Sequence, residues 1–284
     1  MARKDDGVEY LQAKVLLKPE RVSSLERFRD VGKLVRRTAR SLNVGFIDDP
    51  DAGQPPRVRE IVFGDTPDFR LYKNGFMLRR RVRYVDGFPA GDPEIVFKFR
   101  HPDLRKAASL DVRPRISGAY RLKLKAQALP RNGHVGGYRV LYSHNCEFGV
   151  SQVHETDRFA MSTLVRVFPA LSALRTAEGE RIRIVNEGIV EELLLPLGKL
   201  DFGKGIVAKS NVALWRTRGE HRPIVGEFSF QVKFRGGDAA DRAERPVKRF
   251  FTALQHDVED WVLVGATKTA LVYGLNGTGL DTRE

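Results

Sequence analysis

One cysteine, Cys146, in 284 residues excludes an intramolecular disulfide and a cysteine-based zinc site. Long apolar runs are missing too. No stretch of about 18 apolar residues offers a transmembrane helix, and the charged opening Met1 to Glu9 leads into no apolar signal-peptide core. The expectation is a cytoplasmic protein with no membrane partner. No Gly-x-Ser-x-Gly nucleophile motif is present. The segment Gly198 to Gly205 approaches a P-loop, but Gly205 stands where Ser or Thr must hold Mg²⁺, and a strand pattern follows where a helix is required. Negative charge is also short. Asp and Glu number 36 against 49 Lys and Arg, a net charge of +13. Such an excess calls for a polyanionic partner: a nucleotide, polyphosphate, nucleic acid or an acidic surface.

What is present is a repeated alternation of basic and apolar residues with a period of two. Extended, Met77 to Tyr84 puts Arg79, Arg81 and Arg83 on one face and Leu78, Val82 and Tyr84 on the other. Glu94 to Arg100 opposes Glu94, Lys98 and Arg100 to Ile95, Phe97 and Phe99. The same split recurs in Arg121, Lys123 and Lys125, in Arg181 and Arg183, and in Glu227 to Phe234, where Lys233 shares the face of Glu227. Assembled in one sheet, these faces would carry eleven cations against Glu94 and Glu227. A face so charged repels itself unless an anion neutralises it.

The chain reads as strands at 8–17, 58–63, 77–84, 94–101, 120–128, 181–186, 189–195, 206–216 and 225–235. Helical spacing runs over 20–42, over 162–174 with a break at Pro169, and over 242–275, in one helix or two. Glycine-rich runs at 132–137 and 274–279 read as turns, and the cluster His144-Asn145-Cys146 as structural. No clean linker divides the chain, so residues 1–284 are expected to form one α+β domain on an antiparallel sheet or barrel. The helices would cover the apolar faces, with those at about 242–275 packed on the barrel. The charged faces would then turn inward to a lumen or outward to water, and a closed barrel would gather them around an axis.

The block Phe63-Gly64-Asp65-Thr66-Pro67-Asp68-Phe69-Arg70-Leu71-Tyr72, followed by Gly75 and by Leu78-Arg79-Arg80-Arg81, resembles the triphosphate tunnel metalloenzymes, or CYTH-like superfamily. That superfamily shows a strand ending in Asp-Thr-Pro, a Leu-Tyr segment, a Gly, and then Leu-Arg-x-Arg. Phe97-Lys98, Arg181 with Arg183, and Glu227-x-Ser229 are similar to its later strands. The resemblance implies an antiparallel eight-stranded β-barrel tunnel with flanking helices. It also implies a triphosphate, nucleoside triphosphate or polyphosphate ligand, and Mg²⁺ or Mn²⁺ held by glutamates. On it, Lys14, Arg79, Arg81, Arg83, Lys98, Arg100, Lys123, Lys125, Arg181, Arg183 and Lys233 would bind phosphates. Glu227 would hold the metal with Glu94 assisting, and Glu227 and Lys14 would serve catalysis. The chain departs from the pattern at the first strand. The family's Glu-x-Glu-x-Lys is Tyr10-Leu11-Gln12-Ala13-Lys14, which keeps the lysine and loses both acids. Two functions follow as expectations: a metal-dependent phosphohydrolase or phosphotransferase, and a non-catalytic binder of nucleotide, polyphosphate or RNA.

Overall fold

The computed structural model describes residues 7–131, 133–154, 157–234 and 238–274. The glycine-rich run beyond Gly274 lies outside them, as does Asn132. Alternating residues give each pleated segment one wet and one dry face. The strands are β1 (Tyr10–Leu17), β2 (Gly45–Asp48), β3 (Arg57–Asp65), β4 (Phe76–Val85), β5 (Phe88–His101), β6 (Arg121–Arg131), β7 (His134–Gly149), β8 (Arg183–Ile184), β9 (Val190–Asp201), β10 (Val207–Thr217) and β11 (Pro223–Lys233). The α-helices are α1 (Leu25–Ser41), α2 (Arg70–Lys73), α3 (Leu104–Ser109), α4 (Met161–Val167), α5 (Asp238–Asp257) and α6 (Lys268–Val272).

Neighbouring strands run in the order β9-β10-β11-β1-β6-β7-β5-β4-β3, and β3 pairs back onto β9, which closes a barrel. All of its pairings are antiparallel except β1 with β6. β2 extends the same edge of β9, and β8 hangs on β3 outside the ring. The barrel therefore has nine strands, one more than expected. The additional strand is β7. Gly133 just before it and its own Gly136 and Gly137 hide the alternation that follows, in which Ser143, Asn145 and Glu147 oppose His144, Cys146 and Phe148. Conversely, the strand expected at 181–186 shrinks to the two residues of β8. The helix expected over 162–174 stops at Val167, ahead of Pro169, and continues as a 3₁₀ turn.

Two apolar layers clothe the barrel. On one side α1, opened by the Ser24 cap, presents Phe28, Val31, Val35 and Ala39, and α5 presents Val247, Phe250, Phe251 and Leu254. They pack on Ala13, Val15, Phe228, Phe230 and Val232 from the dry faces of β1 and β11. On the other, Met161, Leu164 and Phe168 cover Leu78, Phe97, Cys146 and Phe148. A third cluster fills part of the barrel itself: Leu16, Ile61, Phe63, Met77, Trp215 and Val225 meet Tyr72 and Tyr273. The chain after α5 enters here, with Leu263 N donating to Leu16 O at 2.9 Å.

The Asp-Thr-Pro block is the fastening of this plug. Asp65 is buried at 1% exposure. Its carboxylate accepts from the backbone N–H of Thr66 (2.7 Å), Leu71 (2.9 Å) and Tyr72 (3.0 Å), and from the Tyr273 hydroxyl (3.1 Å). Burial pushes this carboxyl upward from its usual range, and the four donors oppose that shift. Gly75 closes the turn at φ +78°, where a Cβ would sit 2.7 Å from Arg100 O. Only glycine fits, and Arg100 N donates to Gly75 O at 2.8 Å. The block thus sets where β4 begins, and with it which of its residues face the lumen.

Candidate functional site

The lumen holds a cavity of about 260 Å³ whose lining includes nine cations, Lys14, Arg59, Arg79, Arg81, Lys98, Arg100, Lys125, Arg139 and Lys268, and three carboxylates, Glu147, Glu192 and Glu227. Strand parity puts them there. Gln12, Lys14 and Leu16 of β1 point inward while Ala13, Val15 and Leu17 point out to the helices. On β4, Arg79 and Arg81 point in. Arg80 between them pairs on the outside with Glu60 at 3.1 Å.

Concentrating like charge inside a barrel shifts proton affinities. Burial lowers the Lys14 ammonium to about 7, opposed by Glu227 and reinforced by Lys268, Arg100 and Lys125. Lys125 falls to about 8, again mainly through burial and then through Lys123. Arg79 falls to about 9 through burial and the neighbouring Arg81. Its Nε is buried without a hydrogen-bond partner, and the more distant Glu192 and Glu147 oppose the shift only in part. A buried Nε–H in this state favours an anionic acceptor.

The carboxylates are spoken for by lysines and arginines. Glu192 accepts from Trp215 Nε1 at 2.8 Å and pairs with Arg59 at 3.1 Å. Burial would raise its pKa, but Arg59, Lys268 and the indole N–H outweigh burial and hold it near 2. Glu227 lies 3.0 Å from Lys268 Nζ and 3.9 Å from Lys14 Nζ, and its Oε2 is buried with no hydrogen-bond partner. Glu147 is bonded by Lys123 and lies 3.5 Å from Arg121 and 3.9 Å from Arg81. Neutral amides bridge the remaining space: Lys98 Nζ donates to Gln127 (3.2 Å), Gln127 to Gln12 (3.1 Å) and Lys125 to Gln231 (3.2 Å).

Of the residues singled out from sequence, Lys14, Arg79, Arg81, Lys98, Arg100, Lys125 and Glu227 line this cavity. The others do not. Arg83 and Lys233 are exposed strand-end residues, Lys233 lying over the Tyr10 ring. Lys123 is tied to Glu147. Arg181 is paired outside the barrel with Asp157, and Arg183 sits on the exposed β8. Glu94 does not join Glu227; it bonds Arg81 and Arg121 beside Glu147, in a separate cluster where Arg121 is exposed. Sequence reading missed Arg59, Arg139, Asn145, Glu147, Glu192 and Lys268. Asn145 and Glu147 were lost with β7. Glu192 follows Glu191 directly, and parity separates them only once β9 is paired: Glu191 turns outward to Arg216 and Glu192 inward. Lys268 has no strand pattern to announce it.

The donor set does not fit the divalent ion that the resemblance implies. Among the described residues no three Asp, Glu, His or Cys side chains are grouped to hold a metal. The two neighbouring lumen carboxylates, Glu227 and Glu192, already share the Lys268 ammonium. Gln12 supplies only a neutral oxygen where a hard cation favours carboxylate.

No helix among the described residues is long and apolar enough to cross a membrane. No protein-family model and no curated protein matches the chain. Solved structures similar to it include HpAC1 from Hippeastrum, described as having a dominant triphosphatase activity. It is 13% identical at a TM-score of 0.45, with 98% of this chain and all of that one covered. PH1819 from Pyrococcus horikoshii OT3 is 12% identical at a TM-score of 0.38, covering 94% of this chain and 98% of its own. A candidate adenylate cyclase from Bacillus halodurans is 11% identical at 0.38, covering 92% and 95%.

Proposed function

We propose that the barrel binds the phosphate chain of a short linear oligophosphate, such as inorganic triphosphate or the tail of a nucleoside triphosphate, without needing a divalent metal. One observation carries this reading: nine cations face three carboxylates around the lumen, and Arg79 Nε is buried there without a hydrogen-bond partner. Phosphate oxygens are the acceptors such groups favour. Nucleic acid is disfavoured on two grounds. A lumen of about 260 Å³ admits no duplex. Base-stacking aromatics are also misplaced, since Phe97, Phe99, Phe228 and Phe230 pack outside the barrel. Calorimetry with tripolyphosphate in a chelator should show binding that weakens steeply as salt rises. Binding that appears only with Mg²⁺ or Mn²⁺ present, or RNA displacing tripolyphosphate at far lower phosphate concentration, would overturn the proposal.

Binding should also take up protons through Lys14. Near pH 8 a lysine titrating at about 7 is mostly neutral in the free protein, and a phosphate beside it draws the proton back. Affinity from this group is therefore greatest below about pH 7 and declines as pH rises through it. Stability of the free protein moves the other way: above about 7 the fold no longer buries that charge, while the unfolded chain keeps its proton until about 10.5. Calorimetry in buffers of different ionisation enthalpy should show wild type taking up more protons than Lys14→Met near pH 8, with the difference vanishing near pH 6. An equal uptake at both pH values would remove Lys14 from the binding set.

Phosphoanhydride cleavage is a second reading, favoured by the unbonded Glu227 Oε2 lying 3.9 Å from Lys14. A water held between these two groups would be oriented toward a phosphorus, with Glu227 taking its proton. Phosphate release by wild type that Glu227→Gln abolishes without loss of binding would support hydrolysis; release that survives this substitution would exclude it.

A further inference from the structure

We infer that Lys268 is a tethered internal cation that takes the place of a divalent ion between Glu227 and Glu192 and closes this part of the lumen to metal. Its ammonium lies 3.0 Å from Glu227 Oε1 and 3.8 Å from Glu192 Oε1, and 4.2 Å from the centroid of the Trp215 ring. Two carboxylates and an aromatic face around one cation form a cage suited to a monovalent ammonium: the ring face attracts positive charge and supplies no oxygen ligand. The cage is enclosed, with 13%, 8% and 9% of the Lys268, Glu227 and Glu192 side chains exposed.

The cation is not free to leave. Lys268 begins α6, where Thr267 Oγ1 accepts from Ala270 N at 3.1 Å, and Thr269 lies against Met77 Sδ at 3.7 Å. Five residues on, Tyr273 is bonded to Asp65 and stacked on Tyr72 with ring centroids 4.6 Å apart. A metal ion entering between the carboxylates would have to lift this segment out of the barrel. It would also meet Lys14 beside Glu227 and Arg59 beside Glu192. A lysine on the chain supplies the positive charge at an effective concentration no dissolved ion matches.

The test contains no phosphate, so it stands or falls apart from the oligophosphate reading. The amplitude of the free Mn²⁺ electron paramagnetic resonance signal is measured against full-length protein. Wild type and Lys268→Arg should leave it unchanged. Lys268→Ala frees Glu227 Oε1 beside the already unbonded Glu227 Oε2, leaves Glu192 Oε1 with the Trp215 indole N–H alone, and should sequester Mn²⁺ in proportion to protein. Adding Glu227→Gln to Lys268→Ala should abolish the gain. Lys268→Met, which keeps the apolar stem over Trp215, is run in parallel, and circular dichroism identifies which variant is folded. The inference is overturned by wild type that sequesters Mn²⁺ in a manner Glu227→Gln removes. A folded Lys268→Ala or Lys268→Met that holds no more Mn²⁺ than wild type overturns it equally.

Discussion

Arg79→Met is expected to weaken tripolyphosphate binding by about 2 kcal/mol, some thirtyfold, while raising the melting temperature of the free protein. The two effects have one cause. Arg79 Nε is buried without a hydrogen-bond partner, and burial beside Arg81 drags the guanidinium down to about 9. A cation crowded by Arg81 and with its Nε unbonded destabilises the empty barrel, and an uncharged methionine relieves it. The same cation is what a phosphate oxygen would satisfy, so stability and affinity oppose each other at this position. Arg80→Ala is the control. It removes an adjacent arginine of the same strand, but one that pairs outside with Glu60, so binding should stay within about twofold, as for a surface pair. Isothermal titration and thermal melts on the three proteins decide the matter. Equal losses of affinity at both positions would mean that the response is to net charge and not to the lumen. A lower melting temperature in Arg79→Met would mean that the arginine is paired when the barrel is empty.

Asp65→Ala should cost about 3–5 kcal/mol, the upper range for a single substitution, because four donors lose their acceptor together inside the protein. Thr66 N, Leu71 N, Tyr72 N and the Tyr273 hydroxyl all converge on one carboxylate. The loss should propagate. Tyr273 closes the segment that carries Lys268, and the turn after Asp65 sets the start of β4. Tyr273→Phe removes one donor and leaves three, so about 1 kcal/mol is expected there. Urea denaturation followed by circular dichroism measures both. An Asp65→Ala variant within about 1 kcal/mol of wild type would show that water replaces the carboxylate and that the block is not the fastening described.

Residues 63–81 resemble a triphosphate tunnel block, yet in the folded chain the acid of that block touches no lumen group. Asp65 binds backbone and Tyr273, while the arginines that follow at positions 79 and 81 face the cavity. A local motif was therefore legible as a motif before its structural job was. The cation-bearing strands were legible for a simpler reason. Where one face of a strand must be dry, a period of two leaves a single possible register, and β1, β4, β5, β6 and β11 all turn the face that sequence alternation assigns them. β7 escaped because glycines near its start carry no hydropathy. With it went Asn145 and Glu147, although their alternation with Cys146 and Phe148 is present in the chain.

What the amino-acid order by itself determined was which side chains share a face: covalent alternation along a strand does not depend on what the strand meets. Which charges meet was decided by tertiary structure alone. Arg81, Glu94, Arg121 and Glu147 come from four strands, and Glu227, Glu192 and Lys268 from two strands and a short helix far apart in the chain. Arg181 and Lys123 carry the same charge as Arg79, but one is paired outside the ring and the other is bonded to Glu147. The carboxylate that sequence favoured for metal, Glu227, meets an ammonium instead. That outcome depends on the chain after α5 folding back into the barrel, driven by burial of Leu263, Leu271 and Tyr273 against Leu16 and Phe63. Apolar contact is non-directional and long-range in sequence, so no spacing along the chain records where it will place a lysine.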